Sequence, residues 1–135
     1  DRTGADAWRG QLNALAQRHQ ANPADAGVAI RYAQALRMTD QKAQAVAVLQ
    51  QAAIRNPNDL GLLGAYGKAL AEVGHYKEAA EVLGRAHLPE RPDWRILSAQ
   101  GAVADQVGNH ALAQRYYEAA LKIAPGEPSV LSNLG

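Results

Sequence analysis

Four histidines, His19, His75, His87 and His110, are the side chains of this chain best suited to move a proton or ligate a metal near neutral pH. They are scattered. His75 and His110 fall in equivalent turns about one repeat apart, too far to share an ion, and no H-E-x-x-H occurs. Their spacing is that of surface or helix-end histidines. Ser98, Ser129 and Ser132 are candidate nucleophiles, but no His and acid accompany them in a recognisable arrangement. Glu78 and Glu81 stand three apart on a helix, the pattern of a solvated face rather than of an acid/base pair. Cysteine is absent, which excludes disulfides and thiolate metal sites. The sequence therefore offers no catalytic constellation, no metal site and no cofactor motif, and no enzymatic activity is expected.

Gly61, Gly64 and Gly67 recur every three residues within one predicted helix. Each helical Gly costs about 1 kcal/mol relative to Ala. Gly67 has a packing role, given below. Gly61 and Gly64 have none in the pattern, and close backbone approach of a ligand would account for them. This is not a phosphate loop, because neither a Walker motif nor G-x-G-x-x-G follows a strand. The net charge of +1 comes without blocks of like charge, which gives no electrostatic case for nucleic acid or an anionic membrane. No apolar run approaches the roughly 20 residues of a membrane span. The chain starts at Asp1 without a signal peptide, as a processed or partial chain would, so its compartment is open.

The elements that must position these residues follow a period. Asn22-Pro23-Ala24-Asp25 returns as Asn56-Pro57-Asn58-Asp59, 34 residues on. The same shift superimposes Ala45, Ala79 and Ala113, then Leu49, Leu83 and Tyr117, then Ala52, Ala86 and Ala120. A period of this length denotes one supersecondary unit stacked on copies of itself. Apolar spacing predicts helices over Asp6–Gln20, Asp25–Met38, Gln41–Arg55, Asp59–Val73, Tyr76–Leu88, Pro92–Val107 and His110–Ala124, about seven in all, with no strand. Asp25 is a candidate N-cap, Gly74 a candidate left-handed C-cap, and Pro92 a candidate first helical residue. Phe is absent and Ala abundant, so the helices must approach closely. Trp8 and Trp94 read as core or edge packing.

This pattern resembles the tetratricopeptide repeat, a 34-residue helix–turn–helix. The family's small positions hold Ala33, Gly67 and Gly101, then Ala45, Ala79 and Ala113, then Ala52, Ala86 and Ala120. Its bulky positions hold Leu63, Leu97, Leu36, Leu70, Leu49, Leu83 and Tyr117, with Ala29 and Ala104 as departures. Its proline position holds Pro57 and Pro125, while Arg91 replaces it in the middle unit. The resemblance implies an all-α, right-handed helical-repeat solenoid of antiparallel helix pairs. It implies an N-terminal helix over 1–25, either a degenerate or a capping half-repeat, repeats over 26–59, 60–93 and 94–127, and the start of a further repeat over 128–135. Val130, Leu131 and Leu134 of that last segment would be uncovered and would seek cover, through weak self-association or fraying.

The resemblance also implies a binding face, because the first helices of such repeats line a concave groove. The groove positions fall on Ile30, Gln34, Arg37, Gly61, Gly64, Lys68, Arg95, Ser98, Ala102 and Asp105. A floor of small residues flanked by Arg37, Lys68 and Arg95 would admit a partner peptide or helix. Gly64→Leu is expected to block it and spare the fold, since that face is not the seam between helices. The co-chaperone form of the fold grips a C-terminal carboxylate at positions that here hold Ile30, Gln34, Ala65, Arg95 and Ala99, of which only Arg95 could serve. RNA-reading helical repeats need cationic stripes and base-reading pairs, which this groove lacks.

The run Ala124-Pro125-Gly126-Glu127-Pro128 through Gly135, following three such units, is similar to the TadD lipoproteins of tight-adherence (Tad/Flp) pilus loci. That likeness implies a pilotin-like protein of the periplasm, anchored at the outer membrane, with a pilus secretin component as partner. The lipidated Cys it requires would lie upstream of Asp1. The alternative is a cytoplasmic scaffold or co-chaperone-like adaptor of the same fold.

Overall fold

Asp25, Asp59 and Asp93 stand 34 residues apart, and each starts a helix in the computed structural model, which describes residues 2–134. Each Oδ1 accepts a backbone N–H from the first turn: Val28 at 3.1 Å, Leu62 at 3.0 Å and Arg95 at 2.9 Å. These bonds satisfy donors that a helix start otherwise leaves orphaned. Among the described residues the order is α1 Arg2–Ala21, α2 Ala26–Met38, α3 Lys42–Arg55, α4 Leu60–Glu72, α5 Tyr76–Gly84, α6 Trp94–Gln106, α7 His110–Ile123 and α8 Pro128–Leu134. Helices adjacent in sequence pack together, and the first helices α2, α4 and α6 also touch in series.

The turns repeat as faithfully as the caps. Asp40, Gly74 and Gly108, again 34 apart, have φ of 63°, 85° and 85°. The next residue closes each helix end by donating back to the last turn: Gln41 to Leu36 at 2.7 Å, His75 to Leu70 and Asn109 to Ala104, both at 2.9 Å. This is the Schellman pattern, in which one left-handed residue lets the chain reverse.

Packing explains the small residues. Ala45, Ala79, Ala52 and Ala120 are wholly buried in the core. A Cβ on Gly67 would stand 2.6 Å from Leu83, and one on Gly101 would run into the ring of Tyr117. Each small residue on a first helix thus receives a large one from the second helix 16 positions on, and the backbones close around it.

Four expectations need correction. The described helices number eight, because residues 128–134 are helical. Val130 is buried against Leu97, Ala104 and Tyr117, because α8 packs on α7; Leu131 is half exposed, and the Leu134 side chain lies outside the described set. Helix α5 stops at Gly84, not Leu88, and residues 85–93 form a turn with a single bridge between Leu88 and Arg91. Pro89 and Pro92 cannot continue a helical ladder, so Pro92 precedes the N-cap Asp93 instead of opening α6.

Candidate functional site

The first helices and the 85–93 turn enclose a groove of about 550 Å³. Helix α2 contributes Ile30, Gln34 and Arg37; α4 contributes Gly61, Gly64 and Lys68; α6 contributes Arg95. These are seven of the ten residues expected to line the concave face. Ala102 lies in a continuation of about 310 Å³, which Lys68 joins to the main groove. Ser98 and Asp105 line neither. Ser98 Oγ accepts a long bond from Asn133 of α8 at 3.5 Å. Asp105 is committed to α7: it accepts from the Tyr117 hydroxyl at 3.2 Å and pairs with His110 Nδ1 at 2.8 Å. Burial, then the Asp105 charge, pushes the Tyr117 phenol up to about 12.

Two further assignments change. Gly64 is buried, and a Cβ there would sit 2.9 Å from Ile96 Cδ1. It therefore also touches the α4–α6 seam, and a side chain at position 64 requires the Cδ1 end of Ile96, itself a groove-lining residue, to shift. Gly61 has no such neighbour, since its Cβ would meet only Asp59 Oδ1 at 3.5 Å. Arg37 is not a free cation. Its Nε and Nη2 donate to Glu72 at 2.5 and 2.8 Å, and that bond holds the Glu72 carboxyl below its usual range.

The wall that sequence reasoning missed is the turn between α5 and α6. It brings His87, Leu88, Arg91 and Asp93 to the groove, with Leu60 opposite on α4. The Asp93 N–H donates to His87 Nδ1 at 3.1 Å and fixes the turn. Arg91 at the proline position, with Pro92 one place late, marked the unit as irregular.

Cations outnumber the acid Asp93 in the groove lining. Lys68, Arg91 and Arg95 make no ion pair among the described residues, and the Arg95 guanidinium lies 4.9 Å from the Trp94 ring centre. Burial of its stem lowers the Lys68 pKa; Asp93 opposes this, and the charges of Arg95 and Arg37 add to it. The floor between these cations is apolar, with Ile30, Leu60, Leu88 and Ile96. The groove contains no Ser, Thr or Cys. No cluster of three His, Asp or Glu able to hold a metal exists among the described residues, and no described helix is long and apolar enough to cross a membrane.

This geometry has parallels among solved structures. MamA superposes with a TM-score of 0.83 over 98% of this chain and 77% of its own, at 20% identity. YrrB, described as a TPR protein with an unusual peptide-binding site, gives 0.83 over 94% and 66%, at 18% identity. PilF of Pseudomonas aeruginosa gives 0.79 over 98% and 67%, at 23% identity. No family model and no curated protein matches the sequence. The 34-residue register and these likenesses establish the fold: the chain has the helical-repeat solenoid fold of tetratricopeptide-repeat proteins.

Proposed function

We propose that this chain is an interaction adaptor that holds an extended or helical segment of a partner protein in the groove between α2, α4 and α6. The observation that carries the reading is the set of cations Lys68, Arg91 and Arg95, without an ion pair among the described residues, around an apolar floor. Such a groove favours a segment with an acidic residue between aliphatic ones, because opposite charge speeds encounter and fixes register while apolar burial supplies affinity. YrrB, with its peptide-binding site, supports this use of the fold. Cross-linking in cells, followed by mapping of the captured segment, identifies the ligand. Lys68→Glu with Arg95→Glu should weaken that segment at least about tenfold and reduce the salt dependence of binding. Parental affinity in the double variant would reject the groove.

The finer reading is a pilotin-like role in Tad/Flp pilus or secretin assembly, at the outer membrane. The likeness of residues 124–135 to TadD lipoproteins supports it. Co-precipitation of a secretin subunit with the full protein from a membrane fraction is the expected result, and a cytosolic protein without a secretin partner would reject it.

A further inference from the structure

The groove wall built by residues 85–93 is not anchored by burial. Ala86 and Ile96 are buried at either end of this stretch, and no residue from 87 to 95 is. Leu88, which lines the groove, is 40% exposed. Pro89 and Pro92 have no N–H to donate. Two hydrogen bonds close the path. The Arg91 N–H donates to the Leu88 carbonyl at 3.1 Å, within one turn. The Asp93 N–H donates to His87 Nδ1 at 3.1 Å and ties the start of the wall to the residue that caps α6. A segment with few buried contacts depends on such bonds for its order.

The second bond fixes a protonation state. Nδ1 accepts through its lone pair, so the imidazole is neutral and carries its proton on Nε2. A second proton has one place to go, Nδ1, where it would meet the Asp93 N–H, donor against donor. The bond then breaks, or the Asp93 carboxylate swings to the imidazolium and releases the Arg95 N–H that it caps at 2.9 Å. Either way the joint between the wall and α6 is lost. The charged neighbours are Arg85, Glu90, Arg91 and Asp93 on the stretch itself. Across the groove they are Lys68 on α4, Arg95 on α6, and Arg37 on α2 with its partner Glu72. Side chains of these types ordinarily change charge outside the interval from about pH 5.5 to about pH 7.5, whereas histidine changes within it.

We propose that His87 is a proton-operated latch on the groove: neutral, it holds the 85–93 wall against α6, and protonated, it lets the wall go. Its use rests on the groove reading above, because an unlatched wall no longer offers Leu88 and Arg91 as fixed contacts to a bound segment. As a property of the chain the latch stands apart from that reading.

Amide exchange and nitrogen-15 spectra of the unliganded full chain test it. At about pH 7.5 the His87 ring should show a bare Nδ1 and a protonated Nε2. Protection of the Asp93 amide, corrected for the intrinsic pH dependence of exchange, should fall about fivefold or more between about pH 7.5 and about pH 5.5. His87→Asn puts an oxygen acceptor where Nδ1 stands and takes up no proton, so its Asp93 protection should stay level. His87→Phe keeps a ring without an acceptor and should show low protection at both pH values. A neutral ring protonated on Nδ1 overturns the proposal. So does Asp93 protection that is unchanged in the parent, or that falls equally in His87→Asn. Should neither variant fold, the parent's tautomer and its Asp93 protection decide alone. No ligand enters these measurements, so a groove that holds no segment would refute the function proposed above without touching the latch.

Discussion

Arg37 at the end of α2 and Glu72 at the end of α4 form a two-pronged pair, Nε to Oε1 at 2.5 Å and Nη2 to Oε2 at 2.8 Å. The contact ties two first helices together at the rim of the groove. About a third of each side chain remains exposed, 38% and 32%, so solvent screens the pair and its net worth is about 1 kcal/mol or less. Its pH dependence is the sharper test. The hydrogen bond from Arg37 is the main cause holding the folded Glu72 pKa below 4.5, and burial opposes it. A depressed folded pKa gives a contribution that is complete above the unfolded value and lost as pH falls through the folded one. In melts from about pH 6 to about pH 3, the parent should therefore lose more stability than Glu72→Gln. Identical losses would show that the pair contributes nothing to acid sensitivity.

Asp40 occupies the left-handed turn position that Gly74 and Gly108 fill in the next two units, at φ 63° against 85°. A non-glycine residue there carries a penalty of roughly 1–2 kcal/mol, partly offset because glycine loses more chain entropy on folding. Asp40→Gly should raise stability by about 0.5–1 kcal/mol, and Gly74→Ala should lower it by about 1 kcal/mol. Urea midpoints of the two variants should move in opposite directions. A fall for Asp40→Gly would mean that the aspartate side chain supports the turn.

The 34-residue register made most of this architecture legible, because capping aspartates, small crossing residues and turn positions all obey one period. Seven of ten groove residues came with it. What the register could not show lies where the chain leaves it. Arg91 and Pro92 depart from the consensus, so the path of residues 85–93 and the groove wall they build were not readable. Gly64 looked free because repeat positions describe packing within a helix pair, whereas Ile96 comes from the next unit. The loss of Asp105 to Tyr117 likewise needed three dimensions, since the acid faces its own second helix.

Gly67 and Gly10 are both helical and should respond oppositely to Ala. A Cβ at position 10 meets nothing within 4 Å, so Gly10→Ala gains helix propensity of up to about 1 kcal/mol. At position 67 the new methyl would lie 2.6 Å from Leu83 Cδ2, and Leu83 is fully buried with no room to turn away. Overpacking there should outweigh the propensity gain and cost about 1–3 kcal/mol net. Denaturant titration gives both signs in one experiment. Stabilisation by Gly67→Ala would mean that α4 and α5 are not locked at this crossing.

Lys68 gives the groove a pH signature that a merely structural lysine would lack. It makes no ion pair among the described residues, and burial together with Arg95 and Arg37 holds its pKa below 10.5 despite Asp93. The amine therefore loses its charge at a lower pH than a free lysine would. A carboxylate in the groove prefers the charged form, so affinity for an acidic segment should fall as pH rises toward the ordinary lysine range. The probe is an acetylated peptide carrying one Glu between Leu residues, measured by calorimetry at neutral and alkaline pH. Lys68→Arg keeps its charge throughout and should bind with little pH dependence, while Lys68→Met should bind about fivefold more weakly than the parent at neutral pH. If the parent and Lys68→Arg lose affinity in parallel, the alkaline response belongs to another group and Lys68 does not meet the acid.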